Sequence, residues 1–187
     1  MGANKVGDIK ELVEIAEPTH GLITNIGHAH TEGFGGFEGV IRGKSELYQF
    51  LIENKGEVFI NSQNEILNNM GKRFSQPIYY PSKGDFYHCQ FKEASPYVVV
   101  ETEEGAQINT QIIGAYNFEN IAAALCIGKF FDVPSEKANK AIAEYVPTNN
   151  RSQIVKKGTN TIIMDAYNAN PNSMEAAIKN FQDMKGD

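Results

Sequence analysis

The stretch TNIGHAHTEGFGG, residues 24–36, follows the apolar residues Gly21, Leu22 and Ile23 and holds two histidines, a glutamate and four glycines. The apolar pattern predicts a buried strand over 21–26, so the polar part of the stretch begins where that strand ends. In open α/β sheets, ligands bind beyond the carboxyl ends of the strands, and glycine lets a ligand approach the backbone. We therefore predict a ligand-binding loop, in which His30 and Glu32 offer a nitrogen and a carboxylate.

The segments around this loop alternate between helix and strand patterns. Helical spacing of apolar residues and short apolar runs predict, in chain order, a helix over 7–17, the strand over 21–26, a helix over 37–54, a strand over 57–60, a helix over 64–74 and a strand over 78–80. Such alternation is typical of a parallel sheet with helices on its faces.

The second half of the sequence has a different pattern. It predicts β-rich runs over 85–91, 97–102 and 106–113, helices over 117–131 and 135–145, a hairpin around KKGTN at 156–160, and a helix over 171–184. The expected fold class is therefore α/β, with a mainly parallel sheet flanked by helices and a small antiparallel β meander.

Composition narrows the classes of function. Lys and Arg total 17 against 23 Asp and Glu, a net charge of -6, which disfavours nucleic-acid binding because that needs positive charge. An anionic nucleotide is still compatible, since a few local groups bind one. No apolar run approaches the roughly 18 residues of a membrane span. Cys89 and Cys126 stand apart without a C-x-x-C pattern, so we expect a reduced, cytoplasmic protein with no membrane partner.

Two residues near the opening stretch are candidates for chemistry. His30 lies in the loop, and Lys44 follows fourteen residues later within the predicted helix over 37–54. Taken alone, His30 is compatible with an ordinary loop histidine and Lys44 with an exposed helix charge. A zinc site at His28 and His30 is disfavoured, because two ligands are too few and no third lies nearby.

Longer motifs resemble a known family. The segment IAEPTHGLITNIGHAHTEGFGG at 15–36, followed by GKSELY at 43–48, is similar to the central domain of the Mur ligases, the ATP-dependent amide-bond-forming enzymes of bacterial cell-wall synthesis. MGANKVGDI at 1–9 and MDAYNANPNSM at 164–174 resemble the segments of the member that adds D-Ala-D-Ala to UDP-N-acetylmuramoyl-tripeptide. The motifs occur in the family's order along the whole chain.

The resemblance implies a magnesium site. By position, His30 matches the family's Mg²⁺-ligating histidine, and Lys44 matches a lysine that is carbamylated and catalytic. Addition of CO₂ to a neutral amine supplies anionic oxygen, the ligand type that Mg²⁺ prefers. Burial lowers the pKa of a lysine and makes that neutral amine available.

The resemblance also implies an ATP site. Asn120, in GAYNFENIAAAL at 114–125, matches the asparagine that contacts adenine, and an amide both donates and accepts as adenine requires. Arg151 matches a catalytic arginine at the terminal phosphate, and Asp165 matches a ribose-binding acid. Without the family, Asn117 is compatible with a helix N-cap, Asn120 with a polar first-turn residue, Arg151 with a surface charge and Asp165 with a strand-end turn former or N-cap.

The sequence does not contain the P-loop pattern G-x-x-x-x-G-K-[ST] of such ATP sites. The motif GFEGVIRGKS at 36–45 has the wrong spacing and lies in a predicted helix, so we interpret it as coincidence. We expect residues 1–163 to be part of the central ATP-binding domain and 164–187 to begin the C-terminal domain, of a protein that is monomeric when complete. We expect this chain to fold without catalysing the ligation.

Other functions are compatible with the same motifs. Another Mur-type or folylpolyglutamate-type ligase would share most of them, although the YNANPNSM motif disfavours it. A non-catalytic nucleotide-binding or scaffold domain would keep the fold, and chance matches in an unrelated α/β domain are disfavoured by the length of the matched segments.

Overall fold

A computed structural model describes residues 1–27, 31–148, 153–164 and 171–182. The chain divides into two compact units, Met1–Phe86 and Tyr87–Asp187. Among the described residues, none of the helices combines the length and the apolar character that crossing a membrane requires.

The first unit contains a parallel sheet whose strands are connected by helices. Its elements in chain order are α1 (Asp8–Ala16), β1 (His20–Leu22), α2 (Thr31–Phe34), α3 (Phe37–Glu53), β2 (Glu57–Asn61), α4 (Glu65–Gly71) and β3 (Ile78–Tyr80). The strands lie in the order β1-β2-β3, and both neighbouring pairs are parallel. The helical connection between successive strands returns the chain to the end of the sheet at which the strands begin, which is what parallel pairing requires.

The core of the first unit lies between this sheet and α3. Its buried residues are Ile23, Ile26, Phe34, Val40, Tyr48, Leu51, Val58, Ile60 and Leu67. Gly21 in β1 allows α3 to approach closely, because a Cβ there would lie 2.5 Å from Leu51 Cδ1. This contact places α3, which carries Lys44, directly against β1.

The loop after β1 differs from the prediction in two respects. The predicted strand over 21–26 is observed only to Leu22, although Ile23 and Ile26 beyond it are buried. These apolar residues fill the core without pairing to a neighbouring strand, and a short apolar run cannot distinguish the two roles. The helical turn α2 at Thr31–Phe34 was not predicted.

The second unit begins with the antiparallel meander. Its strands are β4 (Cys89–Ala94), β5 (Tyr97–Thr102) and β6 (Gln107–Ile113), paired in the order β4-β5-β6. The meander is confirmed, but its first strand begins at Cys89, whereas the prediction placed it over 85–91. Three consecutive valines of the central strand β5, Val98 to Val100, are buried.

In the part of the chain that the structure describes, the rest of the second unit consists of helices and one hairpin. A 3₁₀ turn at Ala115–Asn117 leads into α5 (Phe118–Phe130), followed by α6 (Ser135–Glu144), the hairpin strands β7 (Gln153–Lys157) and β8 (Asn160–Met164), and α7 (Pro171–Gln182). The antiparallel pairing of β7 and β8 confirms the predicted hairpin. The last predicted helix is confirmed as far as Gln182. The predicted fold class, α/β with a helix-flanked parallel sheet and an antiparallel meander, is confirmed. The expected domain boundary between residues 163 and 164 stays a prediction.

Candidate functional site

Lys44 lies at the carboxyl edge of the parallel sheet. Its Nζ donates a hydrogen bond of 2.8 Å to the backbone carbonyl of Asn25, three residues beyond the end of β1. Helix α3 packs against β1 and β2, so the lysine extends from that helix to the loop that follows the strand. This is the edge at which open α/β sheets bind their ligands.

The environment of Lys44 favours a neutral amine. The side chain is half-buried, and this desolvation lowers the pKa of Lys44 below the ordinary value of lysine. Within the described part of the chain, no carboxylate forms an ion pair with Lys44. With burial opposing the charge and no described anion supporting it, the uncharged form is more accessible than in an exposed lysine.

Tyr48 lies one helical turn after Lys44 and was not predicted as part of the site. Its side chain is fully buried, and its ring packs edge-on against Phe74 with centroids 5.5 Å apart. Burial raises the pKa of the hydroxyl, which lies near the backbone of Ile23 but makes no hydrogen bond of ordinary geometry to a described residue. Lys44 and Tyr48 therefore both face the segment that follows β1, and their spacing of four on a helix could have indicated this.

The Gly-Lys-Ser motif at 43–45 is part of helix α3 and not of a strand-to-helix turn. Gly43 is buried, and a Cβ there would lie 2.4 Å from Cε1 of Phe34. The glycine is thus explained by the close packing of Phe34 on α3. The prediction that this motif lies in a helix is confirmed, and its interpretation as a coincidental match to a P-loop stays a prediction.

Asn120 lies in the first turn of α5, in the second unit, and its side chain is exposed. Its Nδ2 donates to Asn117 Oδ1 over 3.1 Å, and Asn117 Nδ2 donates to the carbonyl of Ile113 over 2.8 Å. A backbone carbonyl can only accept, so this chain of two bonds determines how both amides are oriented. Asn120 keeps its carbonyl oxygen and a second N–H without partners among the described residues.

Asn117 therefore does not cap helix α5 with its side chain, as the sequence suggested, but orients Asn120. It occupies the position before α5, but its side chain makes no capping hydrogen bond to the helix. Its amide connects Ile113, at the end of β6, to Asn120 and holds the Asn120 side chain in place. The N-x-x-N spacing at 117–120 is the sequence feature that could have indicated this pair. Burial raises the pKa of the neighbouring Glu119 carboxyl.

Three predicted site residues, His30, Arg151 and Asp165, lie outside the described residues. For the last two, the nearest described residues are Gln153 and Met164, which pair with each other across the β7–β8 hairpin. Of the five predicted site residues, the structure therefore describes two, Lys44 in the first unit and Asn120 in the second. The roles of all five stay predictions.

The chain is similar to known ligases over its full length. It is 29% identical over 196 residues to the UDP-N-acetylmuramoyl-tripeptide–D-alanyl-D-alanine ligase of Bacillus subtilis, an alignment that covers 100% of this chain and 41% of that protein. The chain thus spans about two-fifths of the length of the curated relatives that it matches.

Solved structures share the fold. A crystal structure of MurF from Acinetobacter baumannii superimposes with a TM-score of 0.84 and 26% identity, covering 100% of this chain and 42% of that one. The MurF ligase of Thermotoga maritima, solved in complex with ADP, superimposes with a TM-score of 0.83 over 100% of this chain and 44% of its own. At 22% identity, the second comparison supports the fold alone.

A family model described as the Mur ligase middle domain matches residues 1–128, more than half of the 187 residues. Its span includes the parallel sheet, the meander and nearly all of α5. The chain belongs to the Mur ligase middle domain family.

Proposed function

We propose that the chain is part of an ATP-dependent ligase that joins D-Ala-D-Ala to UDP-N-acetylmuramoyl-tripeptide in peptidoglycan synthesis. The name of the Bacillus subtilis relative supports this substrate pair, and family membership supports the reaction class. The observation on the structure that carries the proposal is the half-buried Lys44 at the carboxyl edge of the sheet, hydrogen-bonded to Asn25 and without a described carboxylate partner.

Lys44 suits a role as a carbamate. Its amine is held at a defined point by the Asn25 carbonyl, and its lowered pKa favours the uncharged nitrogen that reacts with CO₂. The reaction forms an N–C bond and releases one proton from the nitrogen. The product carries a negative charge where an unmodified lysine would carry a positive one.

The residues fit a magnesium ion only with this modification. No group of three or more His, Cys, Asp or Glu side chains in the described part of the chain could hold a metal. A carbamate at Lys44 would add oxygen ligands, and we propose His30 as a further ligand. A bound Mg²⁺ would neutralise the charge of the nucleotide phosphates.

The free groups of Asn120 suit an adenine base. Its carbonyl oxygen can accept from the amino group of adenine, and its second N–H can donate to a ring nitrogen. Because Asn117 already orients this amide, little conformational freedom remains to be lost on binding. The ADP complex of the Thermotoga maritima structure is compatible with a nucleotide in this fold. We propose Arg151 for the terminal phosphate and Asp165 for the ribose.

In the proposed reaction, ATP phosphorylates the carboxylate of the UDP-linked tripeptide to give an acyl phosphate. The amine of D-Ala-D-Ala then attacks the acyl carbon, phosphate leaves with the electrons of the broken C–O bond, and the nitrogen loses one proton to the solvent as the amide forms. Substrate positioning supplies much of the acceleration in such a two-substrate step. We propose a monomeric, cytoplasmic enzyme for the complete protein.

The carbamate is tested by ¹³C NMR of the chain in ¹³C-bicarbonate at mildly alkaline pH. We expect a carbamate resonance that is absent from Lys44→Arg and retained in Lys10→Arg, a matched change at an exposed lysine of the same unit. Loss of the resonance in both variants, or in neither, would contradict the assignment to Lys44.

The nucleotide site is tested separately by calorimetric titration with ADP. We expect Asn120→Ala to weaken binding by roughly tenfold, as for the loss of two hydrogen bonds. The control is Asn69→Ala, which removes an exposed amide in the first unit and is expected to bind ADP like the wild type. Equal affinity in the wild type and Asn120→Ala would refute the adenine contact.

A further inference from the structure

An aromatic ring lies one helical turn before Asn120. Tyr116 is in the 3₁₀ turn Ala115–Asn117, which continues directly into α5, and 41% of its surface is exposed. Residues four apart in a helix lie on the same side. Phe118, midway between the two, is buried and packs edge-on against Phe91 with ring centroids 5.9 Å apart. Tyr116 and Asn120 therefore share the exposed side of this helix start, and Phe118 anchors the opposite side.

The ring of Tyr116 packs closely on a glycine. A Cβ at Gly114 would lie 2.5 Å from Tyr116 Cε1 and 2.9 Å from its Cζ, so the ring occupies the space that any other side chain would need. Gly114 also has a φ of 89°, a conformation that favours glycine. A ring that is fixed by such a contact loses little conformational freedom when a ligand packs on it.

The amide of Asn120 leans toward the same turn. Helical side chains tilt toward the N-terminus of their helix, and the 3.1 Å bond from Asn120 Nδ2 to Asn117 Oδ1 shows this tilt. The carbonyl oxygen and second N–H of Asn120, which have no partners among the described residues, thus lie beside the turn that carries Tyr116. An exposed tyrosine alone indicates no ligand. Beside such an amide, however, the ring offers a surface for the face of a purine base, while the amide offers partners for its edge.

We propose that Tyr116 stacks on the adenine base whose edge Asn120 contacts, an inference that rests on the proposed nucleotide site. The two side chains then have separate tasks. Stacking depends little on which base is bound, because every base has a π-face, so Tyr116 supplies affinity for any nucleotide base. The hydrogen-bonding edge differs from base to base, so Asn120 supplies the preference for adenine.

Calorimetric titrations with ADP and GDP measure the two tasks separately. We expect Tyr116→Ala to weaken the binding of both nucleotides by roughly tenfold and to leave the ratio of their affinities unchanged. Tyr116→Phe, which keeps the ring, is expected to bind like the wild type. Asn120→Ala is expected to weaken ADP more than GDP. The matched control is Tyr97→Ala, which removes a tyrosine of the same unit that is 40% exposed and is expected to leave both affinities unchanged.

Fluorescence locates the base directly. The chain has no tryptophan, so Tyr116→Trp introduces a single indole, whose emission a stacked adenine is expected to quench with saturation. ADP should not quench the indole of Tyr97→Trp. Pyrophosphate, which has the phosphates without the base, should quench neither variant.

The results separate the stacking from the nucleotide site on which it rests. If ADP binds the wild type, the stacking alone is overturned by equal affinity in Tyr116→Ala, by an equal loss in Tyr116→Phe or Tyr97→Ala, or by the absence of quenching in Tyr116→Trp. If ADP does not bind the wild type, the nucleotide site and the stacking are both refuted.

Discussion

At the scale of single residues, Lys44 makes stability depend on pH. Its folded-state pKa is lowered by burial, whereas the unfolded chain keeps the ordinary value. Between these two values the unfolded state binds more protons, so stability rises with pH across that window. Below it, both states are protonated and the whole cost of burying the charge remains.

We therefore expect Lys44→Met to raise the melting temperature at neutral pH by about 2 °C, a small effect because the group is only half-buried. The gain should shrink as the pH approaches the ordinary pKa of lysine. The measurement is thermal denaturation by circular dichroism in CO₂-free buffers at several pH values. Lys10→Met, at an exposed lysine, serves as the control. Destabilisation at neutral pH, or a gain that does not vary with pH, would contradict this account.

At the scale of elements, α1 is anchored by a side chain from α3. Gly7, before the helix, has no side chain that could cap it. Glu46 replaces that cap, because its Oε1 accepts from Gly7 N at 2.7 Å and its Oε2 from Lys10 N at 2.9 Å. One carboxylate thus satisfies two of the N–H groups that the start of a helix leaves unpaired.

Glu46→Gln should cost about 1 kcal/mol of unfolding free energy, because the amide accepts only one of these bonds and loses the charge. Urea denaturation compared with Glu14→Gln, an exposed glutamate on α1, measures the difference. Equal stability of the two variants would show that the cap contributes nothing.

Two glycines within helices, Gly43 and Gly128, are expected to change stability in opposite directions when replaced by alanine. A Cβ at Gly43 in α3 would lie 2.4 Å from the buried ring of Phe34, whereas one at Gly128 in α5 would meet its nearest atom, Ala138 Cβ, at 3.7 Å. We expect Gly43→Ala to destabilise the chain by about 1–3 kcal/mol through overpacking. Gly128→Ala should stabilise it by up to about 1 kcal/mol through helix propensity. Calorimetric melting of both variants tests the contrast, which fails if the two shifts have the same sign.

At the scale of the whole molecule, burial is unevenly distributed among the strands. Four of the five residues of β2 are buried, and all five residues of β8 are at least partly exposed. Because local opening needs less free energy where few apolar contacts are lost, we expect amides of β2 and β5 to exchange far more slowly than those of β7 and β8. Hydrogen exchange followed by mass spectrometry measures this order, and equal protection of the two groups would contradict it.

The sequence alone determined the order and type of most elements in both units. Apolar spacing and turn residues predicted α1, α3, β2 and β3, because these elements are long enough, or bounded clearly enough, to show their period. The same patterns could not show that β1 ends at Leu22. Whether Ile23 and Ile26 pair in a strand or only fill the core depends on what packs against them.

In the candidate site, too, the sequence indicated which residues matter, whereas their contacts depend on packing. The motifs and family resemblance singled out Lys44 and Asn120 from the sequence, since the type and spacing of residues are local properties. Two contacts arise only in the folded chain: Lys44 reaches the Asn25 carbonyl, and Asn117, held by the Ile113 carbonyl, orients Asn120. Hydrogen bonds and desolvation depend on distances between segments that are remote in the chain, and those distances exist only once the core has packed.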